Sequence, residues 1–365
     1  MNEKEITILQ LIQENPFLTQ NELAEKTGLS RSAVAGYISA LTREGKLLGR
    51  AYVLPQKREV ICIGGANIDR KIQVEEKIKF GTSNPASTSQ SCGGVARNIA
   101  ENLGRLGMDS SLLTMVGADH SGDWIIDYTK LYADMKPTLV SEDYVTGTYT
   151  ALLDVEGEMT VALADMSIYD SMTQDIIEKR WGHIASAELI ILDTNFPADV
   201  LEQVIVRSRK ENLQLCVTPV SSPKVKKLPN DLRGVTWLIA NKDEAEALSD
   251  MRIYEEGDFF KAAEIIMKKG VERVVITRGD KGLIFFTKLG EAGVILPPPI
   301  EIEDVTGAGD SLVAGIMYSY LKGLNTENCC KIGIACSLLT LQSHETVNPL
   351  LNQKKLQDTF KKYFD

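Results

Sequence analysis

The chain has 365 residues, 44% of them apolar and 25% charged, with a net charge of −10. That is enough for one large domain and a small one, in the range of an ordinary globular protein. The acidic balance excludes a chain coated along its length by nucleic acid or an anionic membrane, but the charge is uneven. Residues 1–58 hold eight Lys/Arg against six Asp/Glu, which leaves −12 on the remainder. No apolar run reaches the ~18 residues of a membrane span and no leader pattern opens the chain, so a cytoplasmic protein without membrane contact is expected. Six cysteines without CxxC spacing and three scattered histidines predict reduced thiols and no zinc site.

In chain order, Ile6, Ile8, Leu9, Leu11 and Ile12 form the apolar face of a first helix that stops near Asn15-Pro16. Thr19, with Glu22 three residues on, makes a capping box for a second helix over 20–26. Ser30 caps a third, which carries Val34, Ile38 and Leu41 at helical spacing. Two short helices joined across Thr27-Gly28-Leu29-Ser30 follow the helix-turn-helix plan. Residues 45–48 and 51–54 then predict the strands of a wing, and 55–59 a linker. Arg31, Ser32 and Tyr37 are expected to face outward from the third helix, with Arg50 in reach of a phosphate backbone. Duplex DNA, bound through residues 1–54 of a homodimer, is the partner this implies.

From Val60 apolar runs alternate with amphipathic helices. Strands are predicted at 60–63, 112–116, 189–192, 215–217, 237–239 and 274–277, and helices at 96–106, 198–209 and 259–269. This alternation predicts an α/β fold whose mostly parallel sheet is covered on both faces. Residues 68–90 are polar and irregular, and 148–164 read as a hairpin turning at Glu156-Gly157. Both suit a small β lid over the strand ends, where open α/β sheets bind ligands.

The sharpest segment is Asp304-Val305-Thr306-Gly307-Ala308-Gly309-Asp310, a glycine-rich turn entering a helix with Leu312, Val313, Ile316 and Tyr320 on its core face. Gly307 and Gly309 let the backbone turn sharply and approach a ligand. The free N–H groups at the helix start make an anion site for a transferring phosphoryl group. A carboxylate there would repel phosphate, but it makes sense as a base that takes the proton of an attacking hydroxyl. An isolated GxGD would more often be a capped helix; here the whole string carries the reading. No GxxxxGK[ST] loop is present, since Asp123 stands where Gly117–Gly122 would need a lysine.

That string resembles the C-terminal signature of the PfkB family, and the resemblance runs from Val60 to the end. The family's other signature is similar to Gly93-Gly94-Val95-Ala96-Arg97-Asn98 with the helix that follows, and the first strand ends in Gly64-Gly65-Ala66-Asn67-Ile68-Asp69. The resemblance implies a ribokinase-like three-layer sandwich with a mostly parallel central sheet and a small β lid, over residues 58–365, after a winged helix-turn-helix domain over 1–57. The lid is expected near 68–90 and 144–165. It implies Asp310 as catalytic base, with Gly307, Ala308 and Gly309 as an anion hole. Asn67, Asp69, Gly93, Gly94 and Asn98 are implied as substrate ligands. Asn241, Glu244, Thr277, Gly279 and Asn348 are implied beside the nucleotide. ATP and Mg²⁺ follow, the metal reached through water from Glu244, and K⁺ at Asp304, Thr306, Ser343 and Thr346.

Within the family the chain most resembles pseudouridine kinases, whose GGVxRNIAxNLxxLG pattern is met by Gly93–Gly107. Ser83-Asn84-Pro85, the 148–164 hairpin and Pro219-Val220-Ser221 also match. Ribokinases carry a lysine where Val95 stands. One departure is Thr218, which replaces the usual aspartate of a VDPVS element and is expected only to pack. The implied activity is phosphorylation of a primary 5′-hydroxyl on a nucleoside, above all pseudouridine. The alternatives are another sugar or nucleoside, or a transcription regulator that uses the kinase domain as a ligand sensor.

Overall fold

Side-chain caps fix the first three helices, α1 (Glu3–Glu14), α2 (Gln20–Thr27) and α3 (Arg31–Arg43), in a computed structural model that describes residues 2–15, 18–48 and 58–364. Asn2 with Glu5 and Thr19 with Glu22 form reciprocal capping boxes, and Ser30 Oγ accepts the Ala33 N–H at 3.2 Å. Each such cap contributes about 1 kcal/mol by satisfying helix N–H groups that have no partner within the helix. Gly28 ends α2 in the left-handed region at φ +67°. Ile8, Ile12, Leu23, Val34, Ile38, Leu41 and Leu47 make one small core. Tyr37 corrects an expectation: it packs half-buried against that core, while Arg31 and Ser32 are exposed. Residues 45–48 form no strand, and the second wing strand and Arg50 lie outside the described residues.

The elements that follow are β1 (Arg58–Ile63), β2 (Asn67–Val74), β3 (Ala86–Gly93), α4 (Val95–Arg105), β4 (Ser110–Leu113), β5 (Met115–Gly117), α5 (His120–Thr129), β6 (Leu139–Ser141), β7 (Thr148–Leu153) and β8 (Met159–Asp165). A 3₁₀ turn, Ser167–Ser171, leads to α6 (Gln174–Ala185), β9 (Ala187–Asp193), α7 (Ala198–Glu211), β10 (Gln214–Thr218), α8 (Ser222–Val225) and β11 (Trp237–Asn241). Then come α9 (Lys242–Ser249), α10 (Glu256–Lys268), β12 (Arg273–Thr277), β13 (Leu283–Thr287), β14 (Ala292–Ile295), α11 (Ala308–Leu321), α12 (Thr326–Leu341) and α13 (Gln353–Phe364).

The main sheet has the order β14-β13-β12-β11-β10-β9-β1-β4. The pairs β1–β4, β9–β10, β10–β11 and β11–β12 are parallel, while β13 and β14 close one edge antiparallel. The run expected at 112–116 divides between β4, in this sheet, and β5, which pairs β6. Side chains alternate along a strand, so Val60, Cys62, Leu189, Ile191, Trp237 and Ile239 fall on one face. There they pack with α4, α11 and α12, each fully buried branched or aromatic side chain stabilising by about 1.5–3 kcal/mol. The segment 68–90, read from sequence as irregular, instead supplies β2 and β3 of a four-stranded lid in the order β3-β2-β7-β8. No described helix is long and apolar enough to cross a membrane.

The chain divides into two compact units, Met1–Glu59 with Gln174–Glu188, and Val60–Thr173 with Leu189–Asp365. The first therefore takes α6 as well as α1–α3, where the sequence suggested a single cut at 57/58. The reason is a close backbone approach within that unit. A Cβ built on Gly45 (φ +71°) would lie 2.7 Å from the Gly182 carbonyl oxygen and 3.1 Å from Ala185 Cβ. Gly45→Ala should thus cost about 1–2 kcal/mol for the left-handed backbone alone, plus the clash. Gly36→Ala, on α3 with open space around it, should instead gain up to ~1 kcal/mol. Calorimetric melting of the full-length variants checks both signs.

Candidate active site

One buried carboxylate draws the site together. Asp193 ends β9 at the carboxyl edge of the sheet, where Oδ2 accepts from the Gly65 N–H at 2.8 Å, the Ala96 N–H at 3.2 Å and Asn195 Nδ2 at 2.9 Å. Oδ1 accepts the Asn195 N–H at 2.8 Å. Burial pushes its proton affinity up, against the pull of those hydrogen bonds. Gly64 must be glycine because a Cβ would fall 2.1 Å from the Asp193 carboxyl carbon. Thr218 stands beside Asp193 in the parallel register, which explains the departure noted in the sequence: an aspartate there would face a second buried carboxylate. The Tyr169 hydroxyl holds the next residue, donating to the Ala66 carbonyl and accepting the Ala66 N–H.

These ties bring β2 and α4 against the start of α11. Asn67 Nδ2 donates to Asp69 Oδ1 at 2.6 Å, and a Cβ on Gly93 would sit 2.1 Å from Asp69 Oδ2. Gly94 begins α4 at φ +99°, its backbone pressed onto Gly65. On the same helix, Asn98 Nδ2 donates to Asp310 Oδ2 at 2.7 Å. The amide is oriented from behind, since Asn98 Oδ1 accepts Arg97 Nε and Nη2 at 3.2 and 2.7 Å. Arg97 Nη1 in turn donates to Glu101 Oε2 at 2.8 Å, and Arg97 and Glu101 are each 1% exposed. Burial pushes the Asp310 carboxyl up to about 7; Asn98 opposes the shift, the Asp193 charge adds to it and Arg97 opposes it. A carboxyl poised near neutrality suits proton abstraction.

Gly307 caps α11 in the left-handed region at φ +79°, and a Cβ there would strike the Thr346 carbonyl oxygen. The Ala308 N–H turns back to Val305 at 3.3 Å, whereas the N–H groups of Gly309 and Asp310 find no intramolecular acceptor. Beside them opens a mostly apolar cavity of about 620 Å³, lined by Thr277, Gly279, Pro298, Ala308, Gly309 and Leu338 among others. Asn348 does not line it; its Nδ2 donates to the Leu339 carbonyl on α12 and its Oδ1 accepts the Leu350 N–H at 2.8 Å. Asn241 and Glu244 form the capping box of α9, with both hydrogen bonds at 2.9 Å. Burial pushes Glu244 up to about 7, with the Asp243 and Asp310 charges adding to the shift.

Asp304 is fully engaged. Oδ1 accepts the Thr306 N–H and hydroxyl at 2.8 and 2.6 Å, and Oδ2 meets Lys71 Nζ of the lid at 2.5 Å. Burial would raise its pKa, but the Lys71 ammonium and Thr306 outweigh it and hold the carboxyl below the usual range. Sequence reasoning passed over Asp193, Arg97, Tyr169 and Lys71. An aspartate ending a predicted parallel strand, and a lysine two residues after Asp69 on an alternating strand, were the available signals.

The description "pfkB family carbohydrate kinase" matches residues 57–353, and "winged helix-turn-helix DNA-binding" matches residues 1–47. A pseudouridine kinase of Escherichia coli K12 is 32% identical over 300 residues, 81% of this chain and 95% of its own length. A sugar kinase of the same organism, YeiI, described as uncharacterized, is 28% identical over 353 residues, covering 96% of this chain and 97% of its own length. Among solved structures, a putative sugar kinase from Clostridium perfringens superposes with a TM-score of 0.74 at 28% identity, over 84% of this chain and 96% of that one. Arabidopsis thaliana ribokinase, complexed with ribose and ATP, superposes at 0.75 with 20% identity, over 84% and 99%, and shares the fold. With a sheet, lid and glycine turn of this form and a family match over residues 57–353, the chain belongs to the pfkB family of carbohydrate kinases.

Proposed function

We propose that the chain transfers the γ-phosphoryl group of MgATP to the primary 5′-hydroxyl of a nucleoside, with pseudouridine the preferred acceptor. The observation that carries this reading is Asp310. Its half-buried carboxyl, aligned by Asn98 at 2.7 Å, lies at the start of a helix with two free N–H groups, next to Gly309 on the cavity wall. In this scheme Asp310 Oδ1 takes the hydroxyl proton as the substrate oxygen bonds to phosphorus and the bond to the ADP oxygen breaks. The Gly309 and Asp310 N–H groups receive the charge on the phosphoryl oxygens. Asn67, Asp69 and Asn98 orient the acceptor hydroxyls, and the apolar cavity holds the adenine. The pseudouridine preference is supported by the similarity to the Escherichia coli enzyme of that name and by Val95.

Among the described residues no group of three or more His, Cys, Asp or Glu could hold a metal by itself. Mg²⁺ takes few protein ligands and keeps waters and phosphate oxygens. Glu244 suits the metal side: it is a buried carboxylate facing other acids, where a cation would relieve the repulsion. Oε2 is taken by Asn241, which leaves Oε1 for a metal-held water. The metal, when bound, neutralises the phosphate oxygens.

A second function is supported by the first unit, whose α3 is capped by Ser30 and presents exposed Arg31 and Ser32. We propose that a homodimer binds duplex DNA through residues 1–54 and that acceptor binding regulates it.

The base works deprotonated, so kcat/KM should rise with pH through about 7; Asp310→Asn should lower kcat by ~10² or more while leaving ATP binding nearly unchanged. Glu244→Gln removes a neighbouring negative charge and should move that limb to lower pH; a limb that stays in place removes Glu244 from Asp310's surroundings. In a panel of nucleosides and sugars, pseudouridine should give the highest kcat/KM, with phosphate on the 5′-oxygen, and a tenfold preference for free ribose refutes the substrate. In mobility-shift titrations the full-length protein should bind duplex DNA in a salt-sensitive way. Arg31→Ala should weaken preferred sites more than random DNA, and absence of binding at low salt sinks the DNA reading.

A further inference from the structure

Asp69 and Lys71 share a face of β2, because side chains alternate along a strand. Across the lid sheet Lys71 is flanked by Ser89 and Ala151, small neighbours that leave its stem free to extend. It reaches Asp304 Oδ2, three residues before the Gly307 turn, while Thr306 occupies Oδ1. Both oxygens of the carboxylate are therefore engaged, and the positive charge beside them belongs to the chain.

The other residues implied for a monovalent cation fit it no better. Ser343 Oγ accepts the Glu345 N–H at 3.1 Å, and Thr346 abuts Gly307 with its carbonyl and methyl. A free cation would have to share Asp304 with an ammonium, and two like charges on one carboxylate repel. An ammonium on a flexible four-carbon stem is a compact point charge and makes a good substitute for such an ion.

We propose that Lys71 is a positioning residue for the phosphoryl-binding turn, supplying at Asp304 the charge that a dissociable monovalent cation would otherwise bring. Because the lid carries it, that charge reaches the turn only when β2 lies over the site, so lid closure and completion of the turn are one event. The inference rests on the phosphotransfer reading of residues 304–310.

The test compares the full-length protein with Lys71→Met and Lys71→Gln. Each is melted with MgADP in potassium chloride and in tetramethylammonium chloride at equal ionic strength, and assayed for nucleoside phosphorylation in the same salts. The native protein should melt alike and turn over alike in both. The neutral variants should lose roughly tenfold in kcat in tetramethylammonium and recover part of it in potassium. They should also melt higher in potassium, since binding to the folded state raises the melting temperature. Lys71→Arg, which keeps the charge, should remain indifferent to potassium. Potassium-specific stabilisation or activation of the native protein overturns the proposal, as do neutral variants that gain no potassium response. The melting comparison needs no acceptor, so a protein that phosphorylates no nucleoside defeats the kinase reading while the role of Lys71 is still decided.

Discussion

Four hydrogen bonds end on the buried carboxylate of Asp193, and the site is assembled around them. They join the end of β1 at Gly65, the start of α4 at Ala96 and the turn after β9 at Asn195. A buried carboxylate without such donors would protonate or open the structure to water. With them, three segments meet so closely that Gly64, Gly65 and Gly94 have no room for a side chain. The glycines in these motifs thus answer first to a packing constraint set by one acid. Any freedom they lend to substrate approach comes after it.

From Ala96 the constraint passes along α4. One turn of this helix carries Arg97 and Asn98, and the next carries Glu101, which also receives Arg105 at 2.7 Å. The pairs are desolvated, so removing one partner would cost about 3–5 kcal/mol by stranding the other charge. A buried ion pair is a weak source of stability, however, and its value here is orientation. Arg97 offers only donors, so the Asn98 oxygen must face it and the Asn98 nitrogen must face Asp310. Arg97 thus fixes the amide that meets Asp310 without touching that carboxyl, whose raised proton affinity comes first from burial.

What could be read from the sequence was local. The Thr19–Glu22 box and the glycine turn before Asp310 depend on residues two to three apart, where spacing alone specifies the geometry. The pairings that complete the site join residues far apart in the chain: Gly65 with Asp193, Asn98 with Asp310, Lys71 with Asp304. No periodicity records these, because each partner's choice is fixed only once the parallel sheet has set its strand order. The lid strands β2 and β3 were missed for a related reason. Their residues are largely polar or exposed on both faces, as in Ala86–Gly93, so no buried face imprints an apolar alternation. Tyr37 misled in the opposite direction, since an amphipathic ring at the edge of a three-helix core was read as a surface contact.

The same distinction bears on how the first unit relates to the chain as a whole. Its helix-turn-helix part is continuous and could be recognised over residues 1–47, but the compact unit also takes Gln174–Glu188, a segment that leads directly into β9 and so to Asp193. Removing residues 1–57 would therefore do more than detach an appendage. It would strip α6 of the turn at Gly45 against which Gly182 is packed, in the stretch of chain that ends at the carboxylate on which the site is built. A loss of turnover in such a truncation would reflect that shared segment as readily as any signal from DNA. Point substitutions on the exposed face of α3, which leave α6 covered, separate the two causes because they alter the proposed DNA surface and nothing on the path to Asp193.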